Sequence, residues 1–212
     1  MTVIAIDGPA GAGKSTVGRA VAARLGVGYL DTGAMYRAVT FGVLRRAIDP
    51  YDIAAVEQVA MSMDLDIRDV DGASVVIVDG EDATGDIRGR EVTESVSAVA
   101  ANSAVRAELV ERQRSWIRSE GGGVVEGRDI GSVVFPDADL KLFVTASARV
   151  RAERRVAEIG GDVDDVEASI IERDRKDSSR ADSPLVEASG ATVVDTTGLS
   201  IEAVVDLVLD ML

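Results

Sequence analysis

One short segment sets the architecture of this chain: Gly8-Pro9-Ala10-Gly11-Ala12-Gly13-Lys14-Ser15. Its spacing is G-x-x-x-x-G-K-[ST], in which glycines let backbone N–H groups approach a polyphosphate closely. An apolar run over 3–7 precedes it and a helical stripe over 13–25 follows. The segment therefore predicts a strand, a phosphate-binding loop and a helix whose positive end faces the anion. Lys14 is expected to reach the β- and γ-phosphates, and the Ser15 hydroxyl, with waters, to bind Mg²⁺.

Short apolar runs and helical stretches alternate along the rest of the chain. The runs that predict strands are 27–31, 123–126, 140–145 and 191–195, and the stretches that predict helices are 34–47, 103–118, 148–157, 164–176 and 200–211. Such alternation is typical of a parallel α/β sheet with helices on both faces. Residues 64–91 depart from it, because strand-like runs there flank Asp71-Gly72 and precede Asp79-Gly80. These pairs are hairpin signals and predict a small antiparallel β insertion.

The composition excludes several classes of chemistry. The 212 residues include no histidine and no cysteine. A disulfide framework, a Cys/His zinc site, a Ser-His-Asp triad and any histidine general base are therefore ruled out. The net charge of −14 argues against non-specific binding to nucleic acid or to an anionic membrane. No apolar run approaches the roughly 20 residues of a membrane span, and the first residues lack a basic signal-peptide region, so we expect a cytoplasmic protein.

The rest of the sequence narrows the class of phosphate-loop protein. A switch GTPase usually carries Asn-Lys-x-Asp, yet the single asparagine, Asn102, precedes Ser103. Asp195-Thr196-Thr197-Gly198 matches Asp-x-x-Gly but follows the last predicted strand, where a strand ending in a turn is the simpler interpretation. A motor or transport ATPase would need a longer chain. The class that remains is a small kinase, which moves a phosphoryl group onto a small acceptor.

Arginines follow two of the predicted strands. Residues 31–37 (DTGAMYR) follow the second strand, and Gly127-Arg128-Asp129 follows the third. Ligands of open α/β sheets bind beyond the carboxyl ends of the strands, so both segments are expected to face the phosphate-binding loop. Because a guanidinium matches phosphate oxygens in a bidentate way, Arg37 and Arg128 predict an acceptor that carries a phosphate.

At these positions the sequence resembles the bacterial cytidylate kinases over nearly its whole length. The resemblance rests on IDGPAGAGKS (6–15), LDTGAMYR (30–37), EGRDIG (126–131), VFPDA (134–138) and RDRKDSSR (173–180) before Pro184-Leu185. It implies the P-loop nucleoside-monophosphate (NMP) kinase fold: a five-stranded parallel sheet flanked by helices, a small antiparallel β insertion in the NMP-binding domain, and a short lid. The implied divisions are core 1–33, NMP-binding domain 34–92 with the insertion at about 64–91, core 93–148, lid region 149–180 and core 181–212.

The resemblance also implies roles for matching residues. The implied ATP site comprises Gly8, Pro9, Ala10, Gly11, Ala12, Gly13, Lys14, Ser15, Thr16 and the lid residues Arg154 and Arg155. The implied cytosine-reading residues are Ser97, Arg106 and Asp129, and the implied phosphate clamp is Arg37, Arg128 and Arg173. Asp177 is implied to hold the ribose, with Arg180 and Tyr36 nearby, and Thr32 stands where the family often has serine. Lys14, Arg128 and Arg173 are the implied catalytic set.

Charge is unevenly spread over the implied lid. Residues 149–157 carry four arginines and one glutamate, and residues 173–180 carry three arginines, one lysine and two aspartates. Between them, 158–172 hold six acidic residues and no basic one. Salt-bridged surface helices would also show this pattern. We expect instead that two basic arms close over the substrates, with Gly160-Gly161 as hinge or tip.

The expected reaction is transfer of the γ-phosphoryl group of ATP, with Mg²⁺, to CMP and dCMP, giving CDP or dCDP and ADP. Asp129 and Glu126 are both candidates for contacting a Mg²⁺-bound water, and the choice between them stays open. The family suggests a monomer. The alternatives are another small-molecule kinase, acting on UMP, AMP or shikimate, and a nucleotide-binding regulator without turnover. Gly121-Gly122-Gly123 is similar to the triplet of shikimate kinases, but Asp31-Thr32-Gly33 stands where those have Asp-x-Asp.

Overall fold

A computed structural model describes residues 2–70 and 73–212, which form two compact units. The first unit contains the residues up to Tyr29 together with Glu120–Leu212, and the second contains Leu30–Ser119. Over the described ranges, no helix is long and apolar enough to cross a membrane. The predicted divisions at 34–92 and 149–180 stay a prediction.

Eight strands and eight α-helices are described. The strands are β1 (Val3–Asp7), β2 (Tyr29–Asp31), β3 (Leu65–Val70), β4 (Ala73–Val78), β5 (Glu81–Asp82), β6 (Gly123–Gly127), β7 (Leu140–Thr145) and β8 (Thr192–Asp195). The helices are α1 (Lys14–Leu25), α2 (Thr32–Arg45), α3 (Ile53–Ser62), α4 (Arg90–Val99), α5 (Ser103–Glu120), α6 (Ala148–Ile159), α7 (Val163–Ser178) and α8 (Ile201–Leu209). A 3₁₀ turn spans Asp86–Arg88, and a π-helical turn spans Ile130–Val134.

The predicted five-stranded parallel sheet is confirmed. Its order is β2-β6-β1-β7-β8, and β1 pairs in parallel with β6 and β7, as β7 does with β8. Every residue of β1 is buried, as expected for a strand covered on both faces. Ile4 and Ile6 pack in one core with Val17 and Val21 of α1 and with Val204 of α8. The loop after β1 is therefore anchored to a strand that is buried along its whole length.

The second unit contains the predicted antiparallel insertion. Its sheet order is β3-β4-β5, with Leu65 opposite Val78 and Ile77 opposite Asp82. Asp79 and Gly80 have φ of 51° and 82°, the positive values that a tight two-residue hairpin turn requires. The other predicted turn, Asp71-Gly72, lies outside the described residues. The strands end at Asp82, so the remainder of the 64–91 segment is not β but a turn, the 3₁₀ turn Asp86–Arg88 and the first residues of α4.

Two helices were not predicted. In α3 the apolar residues do not form one stripe, because Ile53 and Met61 are exposed whereas Val56 and Val59 are buried. The sequence signal for α4 was present, since its buried valines 92, 96 and 99 have helical spacing.

The last residue of β1, Asp7, carries a buried carboxylate. It accepts hydrogen bonds from the backbone N–H groups of Ile130, at 2.8 Å, and Gly131, at 2.7 Å. Burial raises the pKa of Asp7 from 3.8 to about 6, although these two hydrogen bonds act in the opposite direction. Nearby Asp129 raises this pKa further and Lys14 lowers it.

Gly122 packs against the start of the chain, and alanine there should destabilise the fold. Its φ is +134°, and an added Cβ would lie 2.6 Å from the Thr2 carbonyl oxygen. The neighbouring Gly121 has φ of +72°, with no described atom within 4 Å of an added Cβ. Gly121→Ala is expected to cost about 1 kcal/mol through backbone strain, and Gly122→Ala about 2–4 kcal/mol because a clash is added. Urea denaturation measures both losses; equal losses would contradict the predicted clash.

The raised pKa of Asp7 predicts a pH-dependent stability. The folded chain holds the Asp7 proton more tightly than the unfolded chain, so this contribution is complete below a pH of 3.8 and is lost as pH rises through about 6. From about pH 5 to about pH 7.5, the unsubstituted chain should lose about 1.4 kcal/mol of unfolding free energy relative to the non-titrating Asp7→Asn variant. Urea denaturation of both proteins at the two pH values measures these unfolding free energies. If the two proteins differed by the same amount at both pH values, the raised pKa of Asp7 would be contradicted.

Candidate functional site

The loop between β1 and α1 folds so tightly that two of its positions require glycine. Gly8 has φ of +145°, and an added Cβ would lie 1.9 Å from the carbonyl oxygen of Val144 in β7. Gly13, at the N-cap of α1, has φ of 91°, in the left-handed region that favours glycine. Glycine is thus required at Gly8 by the close approach of Val144 and by a positive φ, and at Gly13 by a positive φ.

Two side chains from distant parts of the sequence hold the outer face of this loop. Arg151 in α6 donates to the Ala10 carbonyl at 3.1 Å, and the Thr196 hydroxyl after β8 donates to the Ala12 carbonyl at 3.0 Å. Because the carbonyl and the following N–H of a trans peptide point in opposite directions, the N–H groups of Gly11 and Gly13 are turned away from these partners. The arrangement suits a loop whose N–H groups bind an anion.

Arg151 itself is a buried cation with three partners, two backbone carbonyls and one carboxylate. Its Nε donates to the Ala146 carbonyl at 2.9 Å, and its Nη2 lies 2.7 Å from Oδ2 of Asp174 in α7. The side chain is 7% exposed, so the carboxylate partner offsets the cost of burying the charge. Arg151 therefore links the loop after β1 to both helices of the implied lid.

A cluster of hydroxyl and carboxylate oxygens lies next to the loop. The Ser15 hydroxyl donates to Oε1 of Glu126 at 2.5 Å, and the Tyr29 hydroxyl donates to the same oxygen at 2.9 Å. Lys14 is buried, and its Nζ donates to the Pro9 carbonyl at 2.9 Å. Ser15 and Glu126 are hard oxygen donors of the kind Mg²⁺ prefers, so their chemistry fits that ion. Of the two carboxylates considered from the sequence, Glu126 is the one bonded to Ser15.

The end of β6 and the end of α7 meet at a buried carboxylate. Asp177 is 1% exposed, and its Oδ2 accepts from Nε of Arg128 at 3.0 Å. Its Oδ1 accepts from Arg180, three residues further along. Three of the predicted CMP-site residues are thereby brought together. Arg173 lies on the same helix, and Asp129, which is buried, follows Arg128.

The other arginines of α6 in the implied lid contact residues of the same unit. Arg154 donates to the hydroxyl and the carbonyl of Thr196, at 3.1 and 2.8 Å, and its guanidinium lies beside Gly13. Arg155 pairs with Glu158 at 3.0 Å. Arg149 pairs with the connector acids Asp164 and Glu167. The exposed ion pairs of Arg149 and Arg155 stabilise little, so these two side chains can exchange partners at small cost.

The second unit holds five predicted residues, two of which are in contact. The Arg106 guanidinium is buried, lies 5.3 Å from the centre of the Tyr36 ring and donates to the Ala100 carbonyl. Arg37 donates to the Ile87 carbonyl at 3.2 Å and to the Thr93 hydroxyl at 3.0 Å. Thr32 is the buried first residue of α2, and Ser97 is a half-buried residue of α4.

Sequence reasoning missed Arg151 and Thr196. In the sequence, Arg151 is one charge of a basic arm, and Thr196 belongs to a strand that ends in a turn. That interpretation of Asp195-Thr196-Thr197-Gly198 agrees with the structure, since β8 ends at Asp195 and its carboxylate accepts from the Thr197 N–H at 2.9 Å. No local signal marks either residue, because both act on carbonyls far away in the sequence.

Known proteins are similar to this chain in sequence and in fold. A family model described as Cytidylate kinase matches residues 4–212. The cytidylate kinase of Corynebacterium diphtheriae is 49% identical over 215 residues, covering 99% of this chain and 94% of its own length. The bifunctional pantoate ligase/cytidylate kinase of Synechococcus sp. (strain WH7803) is 50% identical over 216 residues. That match covers 99% of this chain but 44% of the relative, so the chain spans less than half of the bifunctional protein.

The fold also matches a solved structure. The shikimate kinase of Bacteroides thetaiotaomicron superimposes with a TM-score of 0.51 at 13% identity, over 99% of this chain and 97% of the other. At that identity the likeness concerns the fold alone. The family match over almost the whole chain, with half of the residues shared with curated relatives, places this protein in the cytidylate kinase family.

Proposed function

We propose that this chain transfers the γ-phosphoryl group of ATP to CMP and dCMP, giving CDP or dCDP and ADP. The observation that carries the proposal is the pairing of two features in one unit. A glycine loop with a buried Lys14 follows β1, and Arg128, held by the buried Asp177, follows the neighbouring β6. The first suits a donor polyphosphate and the second an acceptor phosphate. Family membership supports cytidylate as the acceptor.

On the donor side, residues 8–16 are proposed to bind the ATP phosphates. The Lys14 ammonium would bind the β- and γ-phosphate oxygens after leaving the Pro9 carbonyl. Ser15, with Glu126 behind it, would hold Mg²⁺ together with waters. When bound, Mg²⁺ supplies a Lewis acid for the phosphate oxygens. Arg154 and Arg155 are proposed to bind the same phosphates, since their present partners are a neutral threonine and a neighbouring glutamate.

On the acceptor side, arginines are proposed to bind the CMP phosphate. Arg128 and Arg173 of the first unit and Arg37 of the second are assigned to it. The acceptor oxygen is already anionic near neutral pH, so the reaction needs no strong general base, in keeping with a chain that has no histidine. Positioning and neutralisation of charge would supply the rate. Asp177 and Arg180 are assigned to the ribose, with Tyr36 and Thr32 of the second unit.

The base is proposed to be recognised by polar groups. Cytosine presents an N4 amine donor with N3 and O2 acceptors, so a carboxylate suits the amine and an arginine suits the acceptors. Asp129 of the first unit and Arg106 and Ser97 of the second are assigned these tasks. Uracil has a carbonyl at position 4, which would leave a buried carboxylate such as Asp129 without its donor. The site would therefore favour CMP over UMP.

The lid region and the binding partners are also part of the proposed function. Closure of the lid region would exclude water and limit hydrolysis of ATP. Small nucleotides are the proposed partners, and the net charge of −14 disfavours nucleic acid and anionic membranes. We propose a cytoplasmic monomer. Sedimentation of the purified chain tests the oligomeric state.

A coupled assay for ADP release tests the reaction. CMP and dCMP should be phosphorylated well, and UMP, AMP and shikimate poorly. Lys14→Ala should lose turnover by about 100-fold or more, because one phosphate-binding charge is removed. Lys141→Ala is a matched control, since its Nζ also donates to a proline carbonyl, that of Pro136 at 3.0 Å, but lies outside the loop. No turnover with CMP, or an active Lys14→Ala, would overturn the proposal.

Asp129→Asn tests the assignment of the base reader. The amide keeps the shape of the side chain but replaces one acceptor oxygen by a donor, so kcat/KM for CMP should fall by about 10- to 100-fold. The KM for ATP should stay within about twofold. Asp137→Asn, at an exposed position in the same stretch of chain, serves as the control and should change neither constant. An equal loss for CMP and ATP would argue against base reading.

A further inference from the structure

The turn that follows Asp129 is capped by a residue from another part of the chain. Oδ1 of Asp7 accepts from the Ile130 N–H at 2.8 Å, and Oδ2 accepts from the Gly131 N–H at 2.7 Å. These are the first two residues of the π-helical turn Ile130–Val134, whose leading N–H groups have no partner within the turn. One buried carboxylate thus satisfies two consecutive donors.

Asp129 occupies the N-cap position of this turn but does not cap it. Aspartate is among the preferred N-cap residues because its side chain accepts from the second or third N–H of a helix. Here Asp129 makes no side-chain cap hydrogen bond, and its backbone carbonyl accepts from Val133 at 2.9 Å. Because Asp7 caps the turn, the Asp129 carboxylate makes no cap hydrogen bond to it.

We propose that Asp7 is a positioning residue that keeps the Asp129 carboxylate directed at the base and so sets the preference for CMP over UMP. The inference deepens the proposed function and rests on it. Without the Asp7 cap, the leading N–H groups would need a new acceptor, and Asp129 is the residue placed to supply one. Turning toward those N–H groups would take its carboxylate away from the cytosine amine.

The neighbouring Arg128 should be much less affected. Its Nε is held at 3.0 Å by Asp177 in α7, which does not depend on the Asp7 cap. The Lys14 ammonium is held by the Pro9 carbonyl, and the loop before Lys14 is held by Arg151 and Thr196. A loss of the cap should therefore change base selection far more than phosphate binding or ATP binding.

Asp7→Asn tests the proposal, because an amide keeps the size of the side chain but presents one donor to a pair of N–H groups. The measured quantity is the ratio of kcat/KM for CMP to kcat/KM for UMP, which does not depend on the fraction of active protein. We expect this ratio to fall by about tenfold, with the KM for ATP within about twofold of the unsubstituted chain. Gly122→Ala, destabilised at the opposite end of β6, is the control and should leave the ratio unchanged.

A double-variant cycle separates positioning from a general structural effect. If Asp7 acts through Asp129, adding Asp7→Asn to Asp129→Asn should change the ratio little further. Additive effects, or an unchanged ratio in Asp7→Asn, would overturn the positioning role while leaving the proposed function intact. Absence of CMP turnover in the unsubstituted chain would instead overturn the proposed function. Should Asp7→Asn not fold, Asp7→Ser, whose hydroxyl can accept one N–H, must show the same loss of ratio.

Discussion

The tight packing of the glycine loop against the end of β1 and against β7 is the constraint on which the site depends. Gly8 lies so close to the Val144 carbonyl of β7 that a Cβ is excluded, and its φ of +145° also favours glycine. The loop does not hold this shape alone. Arg151 and Thr196 bind its outward carbonyls, and the buried strand before it fixes where it begins.

Buried carboxylates organise the cations of the same unit. Asp177 orients Arg128 and Arg180, and Asp174 accompanies Arg151. Arginines held close together would otherwise repel each other, and an acid between them offsets that repulsion. The net charge of −14 is therefore no obstacle to binding a nucleotide. Much of it lies in 64–91, with nine acidic residues against three arginines, and in the connector 158–172.

Local patterns were predictable and distant partnerships were not. The strand, loop and helix at 3–25 were predicted because the apolar run, the glycines and the helical stripe are adjacent in sequence. Asp7 was expected only to end a strand, since the donors to its carboxylate lie 123 residues away or more. Arg151 acts on a carbonyl 141 residues away, and its sequence context shows nothing but a basic helix. Helix α3 was missed because its apolar residues face both the core and the solvent.

The sequence by itself determined the parallel α/β class, the phosphate-binding loop, the antiparallel insertion and, through the combined motifs, the family. These rest on short-range spacing, which a chain carries before it folds. Only the tertiary structure decided which carboxylate bonds to Ser15, which acid orients Arg128, and which residue caps the turn after Asp129. Each of these is a choice between chemically equivalent acids. Such a choice is made by distance and burial, which arise only when strands far apart in sequence pair side by side.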